Sequence, residues 1–360
     1  MDRDRPARVG IVGCGDVTNL YLPAVERLPA IAFAACADLD KGRAAALAAK
    51  GGFPALSIES LLDDPAIEVV LNLTPPTAHA GISRAAIAAG KHVYSEKPMA
   101  TTRDDAAALL AAASAAGVRL GSAPDTFLGG GLQTARAVLD EGAIGDPVAA
   151  AGAFLSLGPE RWHHRPASFY GVGAGPLLDV APYYVTALVH LLGPVEAVTG
   201  IGRGIGSERL IGAGPQAGER IVSAVPTSVM ATMRFASGVV GSLQASFDAV
   251  ATHTPFLEVH GTHGTLTLGD PNRFDGPVAL RRRDDDAWQD VPLRFDPTIG
   301  RGVGLADLVE AIRDDRPARA SSTFAFHVLD VLLAIEAATR SGRTETVTST
   351  TERPAPLGAG

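Results

Sequence analysis

Short apolar runs alternate with alanine-rich stretches over the first third of the chain. The runs are rich in Val and Ile, which favour strands, whereas Ala and Leu favour helices. Such alternation is typical of βαβ units on a parallel, doubly wound sheet. The predicted strands are residues 9–12, 31–37, 69–73, 92–95 and 119–121, and the predicted helices are residues 18–28, 40–50, 77–89 and 102–116.

The pattern changes after Pro124. Apolar stretches separated by Gly and Asp turns predict an open, mostly antiparallel sheet with a few helices, which is an α+β domain. We therefore expect two domains, residues 1–123 and 124–343, and a loose tail over residues 344–360. The predicted strands are residues 148–157, 195–203, 228–235, 239–247, 256–261 and 265–268, and the predicted helices are residues 128–141, 175–192, 305–314 and 323–341.

Composition narrows the class of ligand. The chain has 360 residues, with 39 acidic and 31 basic side chains, and this balance argues against nucleic acid or an anionic membrane surface. We see neither a secretory leader nor an apolar run near membrane-spanning length, so a cytoplasmic protein with a small-molecule partner is expected. The two cysteines, Cys14 and Cys36, lie in apolar runs and predict reduced, structural thiols and no metal site.

A glycine-rich turn follows the first predicted strand. Gly13 and Gly15 partly match the Gly-x-Gly-x-x-(Gly/Ala) pattern of dinucleotide-binding proteins, with Thr18 at the last position. Small residues let the backbone approach a pyrophosphate, and the helix start at Asp16 and Val17 offers N–H donors. An ordinary strand-to-helix turn is the alternative.

Asp38 ends the second predicted strand. A carboxylate there can accept hydrogen bonds from both hydroxyls of an adenosine ribose and repels a 2′-phosphate, which favours NAD over NADP. The alternative is a cap for the helix that begins near Asp40.

Two further motifs follow predicted strands: TPPTAH at residues 74–79 and EKP at residues 96–98. With them, the sequence from about Arg8 to Arg340 resembles the Gfo/Idh/MocA family of sugar and inositol dehydrogenases. The resemblance implies a Rossmann domain and a C-terminal sheet that often forms the interface of a homodimer or homotetramer. It further implies that Lys97 lies near the nicotinamide and the reacting hydroxyl, and that the cofactor is framed by Thr74, Pro75, His79 and Glu96.

Chemistry independently fits a lysine at this place. Ligands of open α/β sheets bind at the carboxyl ends of the strands. Desolvation there can lower the pKa of Lys97, so that its amine can relay a hydroxyl proton. The alternative for Lys97 is a solvated surface lysine.

The resemblance continues at residues 175–183, GPLLDVAPY, where the family usually carries Gly-Gly-x-x-x-Asp-x-Gly-x-His. Asp179 matches, whereas Tyr183 stands at the position of the family's catalytic His. The two would project from one side of a helix if Pro182 lies in its first turn. A tyrosine, with its reference pKa near 10, needs a cationic neighbour to act as a base. A capping role for Asp179 and plain packing for Tyr183 are the alternatives.

Substrate-facing candidates combine polar groups with an aromatic face, as a polyol requires. Trp162 also fits a domain core, and three further histidines, at positions 253, 260 and 263, lack the spacing of metal ligands. The candidates are Asp125, Trp162, His163 and His164, together with Asp179 and Tyr183.

These features predict an NAD-dependent dehydrogenase that reversibly oxidises a secondary hydroxyl of a sugar, glycoside or cyclitol. Two alternatives stay open on the same scaffold. One is an NAD-assisted glycoside hydrolase, and the other is a non-catalytic, nucleotide-sensing regulatory protein.

Overall fold

The computed structural model describes residues 1–358. Its strands are β1 Ala7–Val12, β2 Ile31–Ala37, β3 Val69–Asn72, β4 His92–Ser95, β5 Leu120–Ser122, β6 Pro147–Leu155, β7 Val195–Arg203, β8 Glu208–Leu210, β9 Arg220–Val222, β10 Ser228–Phe235, β11 Val240–Ser246, β12 Leu257–Gly261, β13 Gly264–Leu268, β14 Val278–Arg282, β15 Gln289–Asp290 and β16 Glu345–Thr346. Its helices are α1 Thr18–Val25, α2 Lys41–Gly51, α3 Ile58–Asp63, α4 Pro76–Ala88, α5 Arg103–Ala116, α6 Gly130–Asp140, α7 Gly175–Asp179, α8 Ala181–Leu192, α9 Val303–Asp314 and α10 Ser322–Ser341.

The chain divides into two compact units that exchange segments. The first unit is Met1–Gly129 with Thr298–Leu329, and the second is Gly130–Pro297 with the residues from Asp330 onward. This division differs from the predicted domains, residues 1–123 and 124–343, because residues 298–329 return to the first unit. Phe324 packs against Phe127, with their ring centroids 5.3 Å apart, and Ser321 forms a bridge to Gly121 next to β5.

The first unit is built on a parallel sheet. Within residues 1–358 its five strands run in the order β2-β1-β3-β4-β5, and every neighbouring pair is parallel. The apolar side chains of β1 and β3 are fully buried, because helices cover both faces of such a sheet. The prediction of a doubly wound N-terminal sheet is confirmed, and the turns after β1, β2, β3 and β4 all lie at its carboxyl edge.

The second unit is built on an open mixed sheet. Its described strands run in the order β15-β14-β13-β12-β6-β11-β10-β7-β16, with β6 and β11 parallel and the other neighbours antiparallel. Glycines let helices approach one face: Gly152 lies beneath Tyr184 and Leu188 of α8. The predicted mostly antiparallel sheet is confirmed.

One predicted helix, residues 175–192, is two helices in the structure. Helix α7 ends at Asp179 and α8 begins at Ala181, with Val180 between them. Pro182 lies in the first turn of α8, where a missing N–H costs nothing, and it cannot donate a bond that would continue α7. The hairpin β8–β9, the strands β14 to β16 and the helix α3 were also not predicted.

The segment from residue 344 differs from the expected loose tail. Strand β16 pairs with β7, and the N–H groups of Thr348 and Ser349 donate to the Asp330 carboxylate at 3.0 and 2.8 Å. Asp330 is fully buried and needs such donors. Hydrogen bonds to the buried Asp330 carboxylate therefore order residues 348–349, although the composition of this segment is typical of disorder.

Helix α10 has 20 residues and is apolar enough, by length and composition, to span a membrane. However, 56% of its most apolar window is buried within the fold, as in the core helix of a soluble protein. The cysteines of the described chain are free and buried, in agreement with their predicted structural role.

Candidate functional site

The turn after β1 is shaped to let a ligand reach the backbone. Gly13 adopts φ 97°, and a Cβ there would lie 2.6 Å from both the carbonyl carbon of Leu73 and the nitrogen of Thr74. At Gly15 a Cβ would meet no atom within 4 Å. Only glycine therefore fits position 13, and position 15 leaves open space beside the start of α1.

The start of α1 supplies hydrogen-bond donors to that space. The first N–H groups of any helix lack an acceptor within it, and they attract anions. The carbonyls of Asp16 and Val17 accept from residues further along α1. Thr18, which departs from the usual Gly or Ala, is buried and donates its hydroxyl to the Gly15 carbonyl at 2.7 Å. The turn is thus compatible with the pyrophosphate of a dinucleotide.

Asp38 stands directly after β2, as its position in the sequence predicts. One carboxylate oxygen accepts from the N–H of Cys14 at 2.7 Å, and the other accepts from the N–H of Asp40 at 2.8 Å. The carboxylate is therefore held between the glycine turn and α2, whose cap is Asp40. It borders a cavity of about 480 Å³, also lined by Lys41, Ser57 and Glu59, which has room for an adenosine.

The turn after β3 is organised by Asn72, a residue that the motif analysis missed. Asn72 is fully buried, and its side-chain oxygen accepts from the hydroxyl of Thr74 at 2.7 Å. Its amide donates to the carbonyl of His79 at 3.0 Å and to the hydroxyl of Ser83 at 3.1 Å. Pro75 then precedes α4. A buried polar residue at a strand end is the signal that could have identified Asn72.

His79 connects the two motif turns instead of facing open space. It is 1% exposed, and its ring nitrogens lie 2.6 Å from the carbonyl oxygens of Thr74 and Pro98. Burial lowers the pKa of His79, and the nearby Lys97 ammonium adds to this, whereas the two carbonyls and Glu96 oppose it. We correct the predicted cofactor contact: His79 positions the turns that would frame a cofactor.

Glu96 fixes the backbone on which Lys97 stands. One Glu96 oxygen accepts from the Lys97 N–H at 2.9 Å, and the other accepts from the hydroxyl of Tyr21 in α1 at 3.0 Å. Burial, followed by the charge of Glu96, raises the pKa of Tyr21 well above its usual value, so the phenol remains a donor. Tyr21 was not predicted, and it links Lys97 to the helix that begins at the glycine turn.

Asp125 does not have the predicted substrate-binding role. Its side chain is fully buried, and one oxygen accepts from the N–H groups of Gly302 and Gly304 at 2.9 and 3.1 Å. Burial raises its pKa, although the Arg301 guanidinium, 3.8 Å from the other oxygen, opposes the rise. We therefore reassign Asp125 as a structural carboxylate at the start of α9.

The second unit carries the remaining candidates. Asp179 ends α7, and Tyr183 is 8% exposed in the first turn of α8, where its N–H donates to the Val180 carbonyl at 3.1 Å. Trp162, by contrast, is 69% exposed, so it is not a core residue. His163 stacks on His164 with centroids 4.7 Å apart. In residues 1–358, no group of three or more His, Cys, Asp or Glu side chains is arranged to hold a metal.

A glycine turn, a strand-end carboxylate and a lysine at one edge of a parallel sheet define a dinucleotide-dependent oxidoreductase. Comparison with known proteins agrees. Residues 7–123 match the NAD-binding Rossmann-fold domain of an oxidoreductase family, and residues 132–267 match the GFO/IDH/MocA C-terminal domain. The chain belongs to the Gfo/Idh/MocA family, and it is an oxidoreductase.

The individual relatives cover between 65% and 95% of the chain. The 1,5-anhydro-D-fructose reductase of Ensifer adhaerens is 30% identical over 315 residues, which cover 85% of this chain and 88% of that protein. The NADP(+)-linked scyllo-inositol 2-dehydrogenase of Bacillus subtilis is 28% identical over 251 residues, covering 65% and 62%. A levoglucosan dehydrogenase solved with NADH and L-sorbose superposes with a TM-score of 0.82 at 25% identity, covering 95% and 99%.

The contacts of the buried His79 ring with the carbonyls of Thr74 and Pro98 predict that the stability of the protein depends on pH. Because burial lowers its pKa in the fold, the unfolded chain binds this proton more readily. Stability contributed by His79 is therefore present above pH 6.5 and is lost as the pH falls below it. His79→Asn should lower the free energy of unfolding by about 1–3 kcal/mol at pH 7.5. The further decrease of that free energy between pH 7.5 and pH 5.5 should be smaller in the variant than in the parent protein.

Urea unfolding at both pH values measures the effect. His253→Asn, at an exposed histidine, is the control and should leave both stabilities unchanged. If the free energy of unfolding changed with pH equally in the parent and in His79→Asn, the proposed role of His79 would be contradicted.

Proposed function

We propose that this oxidoreductase is an NAD-dependent dehydrogenase that reversibly oxidises a secondary hydroxyl group of a sugar, a glycoside or a cyclitol. The observation that carries the proposal is that Lys97 stands at the same sheet edge as the glycine turn and is joined to α1 through Glu96 and Tyr21. The relatives act on an anhydrofructose and an inositol, by their names, which supports a polyol substrate.

The residues of the first unit would hold the cofactor. The N–H groups at the start of α1 would bind the pyrophosphate, and Asp38 would accept from the ribose hydroxyls. A nicotinamide supplies the hydride acceptor when it is bound. NAD is proposed over NADP because a 2′-phosphate would approach the Asp38 carboxylate, although Lys41 in the same cavity and one NADP-linked relative leave this preference to experiment.

Three residues are proposed to act on the reacting hydroxyl. Lys97 would hold its oxygen and share its proton while hydride leaves the carbon, and Tyr183, at the position where the family pattern carries His, would donate or accept that proton. Asp179 would orient the lysine or the sugar. Trp162, His163 and His164 would contact the rest of the substrate.

A symmetric oligomer is proposed through the sheet of the second unit. The strands β7, β10 and β11 expose Ile201, Met230 and Val240 on the face that α8 and α10 leave open. A sheet face that exposes such apolar side chains among polar ones could pack against a second copy of the chain, as a homodimer or homotetramer. Sedimentation equilibrium distinguishes such an oligomer from a single chain.

A cytoplasmic location, without a nucleic-acid or membrane partner, also stays a prediction.

The two alternative functions gain no support. The relatives are named as dehydrogenases and reductases, not as glycoside hydrolases or regulatory proteins. A measurement of NADH during turnover distinguishes the dehydrogenase from the hydrolase. Accumulating NADH would support the dehydrogenase, because a hydrolase that uses NAD transiently would regenerate NAD in each cycle.

Asp38→Ala should weaken NAD binding about 10- to 100-fold, the usual value of hydrogen bonds to a charged group, and should narrow the gap between NAD and NADP. Asp38→Asn keeps one acceptor and removes the charge, so it should recover part of the NAD affinity but none of the discrimination. Calorimetric titration with both cofactors measures these effects. Equal affinities in the unmodified protein would remove the preference for NAD.

Lys97→Met should lower kcat at least 100-fold while NAD affinity changes little, because the ammonium is assigned to the hydroxyl. Lys50→Met is the matched control, since Lys50 contacts only Asn19 among its described hydrogen bonds, at the surface. Initial rates of NADH formation and NAD titrations measure both quantities. A variant at position 97 that retains most of its kcat would identify Lys97 as a structural residue.

Tyr183→Phe deletes one hydroxyl and keeps the ring. If Tyr183 transfers the proton, kcat should fall about 10²- to 10⁴-fold, whereas a rise in KM alone would indicate orientation of the sugar. Tyr184→Phe is the control, because the neighbouring Tyr184 is fully buried with its hydroxyl 3.4 Å from Asp270. Unchanged kcat and KM at position 183 would refute both roles.

A further inference from the structure

The loop of residues 161–170, which we call the aromatic loop, groups four rings: those of Trp162 and His164 are exposed, and those of His163 and Phe169 are half-buried. His163 lies at its centre: its ring centroid is 5.4 Å from that of Trp162, 4.7 Å from that of His164 and 4.8 Å from that of Phe169. The short 3₁₀ turn Pro159–Arg161 leads into the aromatic loop, and a second, Pro166–Phe169, lies within it. A loop without a sheet or a long helix of its own keeps such an arrangement of rings only if neighbouring elements hold its backbone.

The two ends of the aromatic loop meet in a buried contact. The hydroxyl of Tyr170, at the end, donates to the carboxylate of Glu160, immediately before the start. Tyr170 is 1% exposed and Glu160 is 6% exposed. Burial, with the charge of Glu160, raises the pKa of Tyr170, so its phenol remains protonated. This contact closes the loop but leaves a buried carboxylate that needs a cation.

Arg209 of β8 supplies that cation. Its guanidinium lies 2.9 Å from the second oxygen of Glu160, donates to the carbonyl of Phe247 at 2.6 Å and lies 5.6 Å from the centre of the Tyr170 ring. It also pairs with Asp248, which accepts from the hydroxyls of Thr227 and Ser228. One side chain therefore joins both ends of the aromatic loop to the end of β11.

The hairpin that carries Arg209 also supports the loop backbone. Between β8 and β9, the N–H of Gly212 donates to the carbonyl of Glu160 at 2.8 Å. Gly214 packs so closely that a Cβ there would lie 3.0 Å from the Cα of His164. The hairpin thus holds the loop backbone at Glu160 and beside His164, whereas the Trp162 side chain remains 69% exposed.

We propose that Arg209 is a positioning residue for substrate binding: through Glu160 and Tyr170 it holds the aromatic loop so that Trp162 offers a preformed face to a sugar ring. The C–H face of a pyranose or cyclitol stacks on such a ring, and a preformed face avoids the cost of ordering side chains on binding. This inference rests on the proposed function, because the loop is there assigned to the substrate.

The first experiment follows the loop without a substrate. In a Trp288→Phe background, Trp162 is the single tryptophan of the chain and reports on its own motion. Arg209→Gln should lower the fluorescence anisotropy of Trp162 and raise its quenching by acrylamide. Arg220→Gln is the matched control on the same hairpin, since Arg220 pairs with Glu208 at the surface, and it should change neither quantity. An unchanged Trp162 signal in Arg209→Gln would overturn the proposal.

The second experiment follows the kinetics of the 360-residue chain with NAD. The probes are levoglucosan, scyllo-inositol and the two epimeric alcohols formed by reducing 1,5-anhydro-D-fructose at C2, and the one turned over fastest is used. Arg209→Gln should raise KM about 5- to 100-fold, the cost of ordering two side chains, with little change in kcat or NAD affinity. Arg209→Lys, which keeps the charge without the forked geometry, should fold and give an intermediate KM.

A double-mutant cycle separates positioning from general damage. Trp162→Ala should raise KM by itself, and Arg209→Gln should add little in that background, because both act on the same contact. Additive effects, or an unchanged KM in Arg209→Gln despite a loosened Trp162, would overturn the inference and leave the proposed function intact. If the unmodified enzyme oxidises none of the probes, the proposed function fails first, and this inference fails with it.

Discussion

The backbone of the glycine turn lies directly against the backbone of the turn after β3. At Gly13 any side chain would overlap the carbonyl carbon of Leu73 and the nitrogen of Thr74, so these two segments can approach only because position 13 has no Cβ. From Thr74, hydrogen bonds lead through Asn72 and His79 to Pro98, beside Lys97. The placement of the lysine thus depends on a contact made by a glycine far away in sequence.

Both units support their candidate chemistry in the same way. Behind the Lys97 turn lie Tyr21, Glu96 and His79, and behind the aromatic loop lie Arg209, Glu160 and Tyr170, all largely buried. Buried polar groups are costly unless their partners are complete, and complete networks are rigid. In each unit, therefore, a candidate functional segment rests on an internal polar network that favours one arrangement.

The sequence predicted what depends on local pattern. The five parallel strands follow from apolar runs of strand length, and Gly13 and Asp38 follow from their spacing around β1 and β2. Pairings between distant residues were not predictable, because no local signal marks them: Tyr21 and Glu96 are 75 positions apart, and Glu160 and Arg209 are 49 apart. For the same reason Asp125 was predicted to bind the substrate: the glycines whose N–H groups donate to its carboxylate, Gly302 and Gly304, lie far along the chain.

That long separation has a consequence for the order in which the protein is made. Asp125 leaves the ribosome 177 residues before Gly302, the nearer of the two backbone donors that satisfy it. At about 5–20 residues per second, the interval is roughly 10 to 35 seconds. During that time the parallel sheet can assemble, but its buried carboxylate still needs water or another donor. The dinucleotide-binding half therefore reaches its final form only after most of the other half has been synthesised.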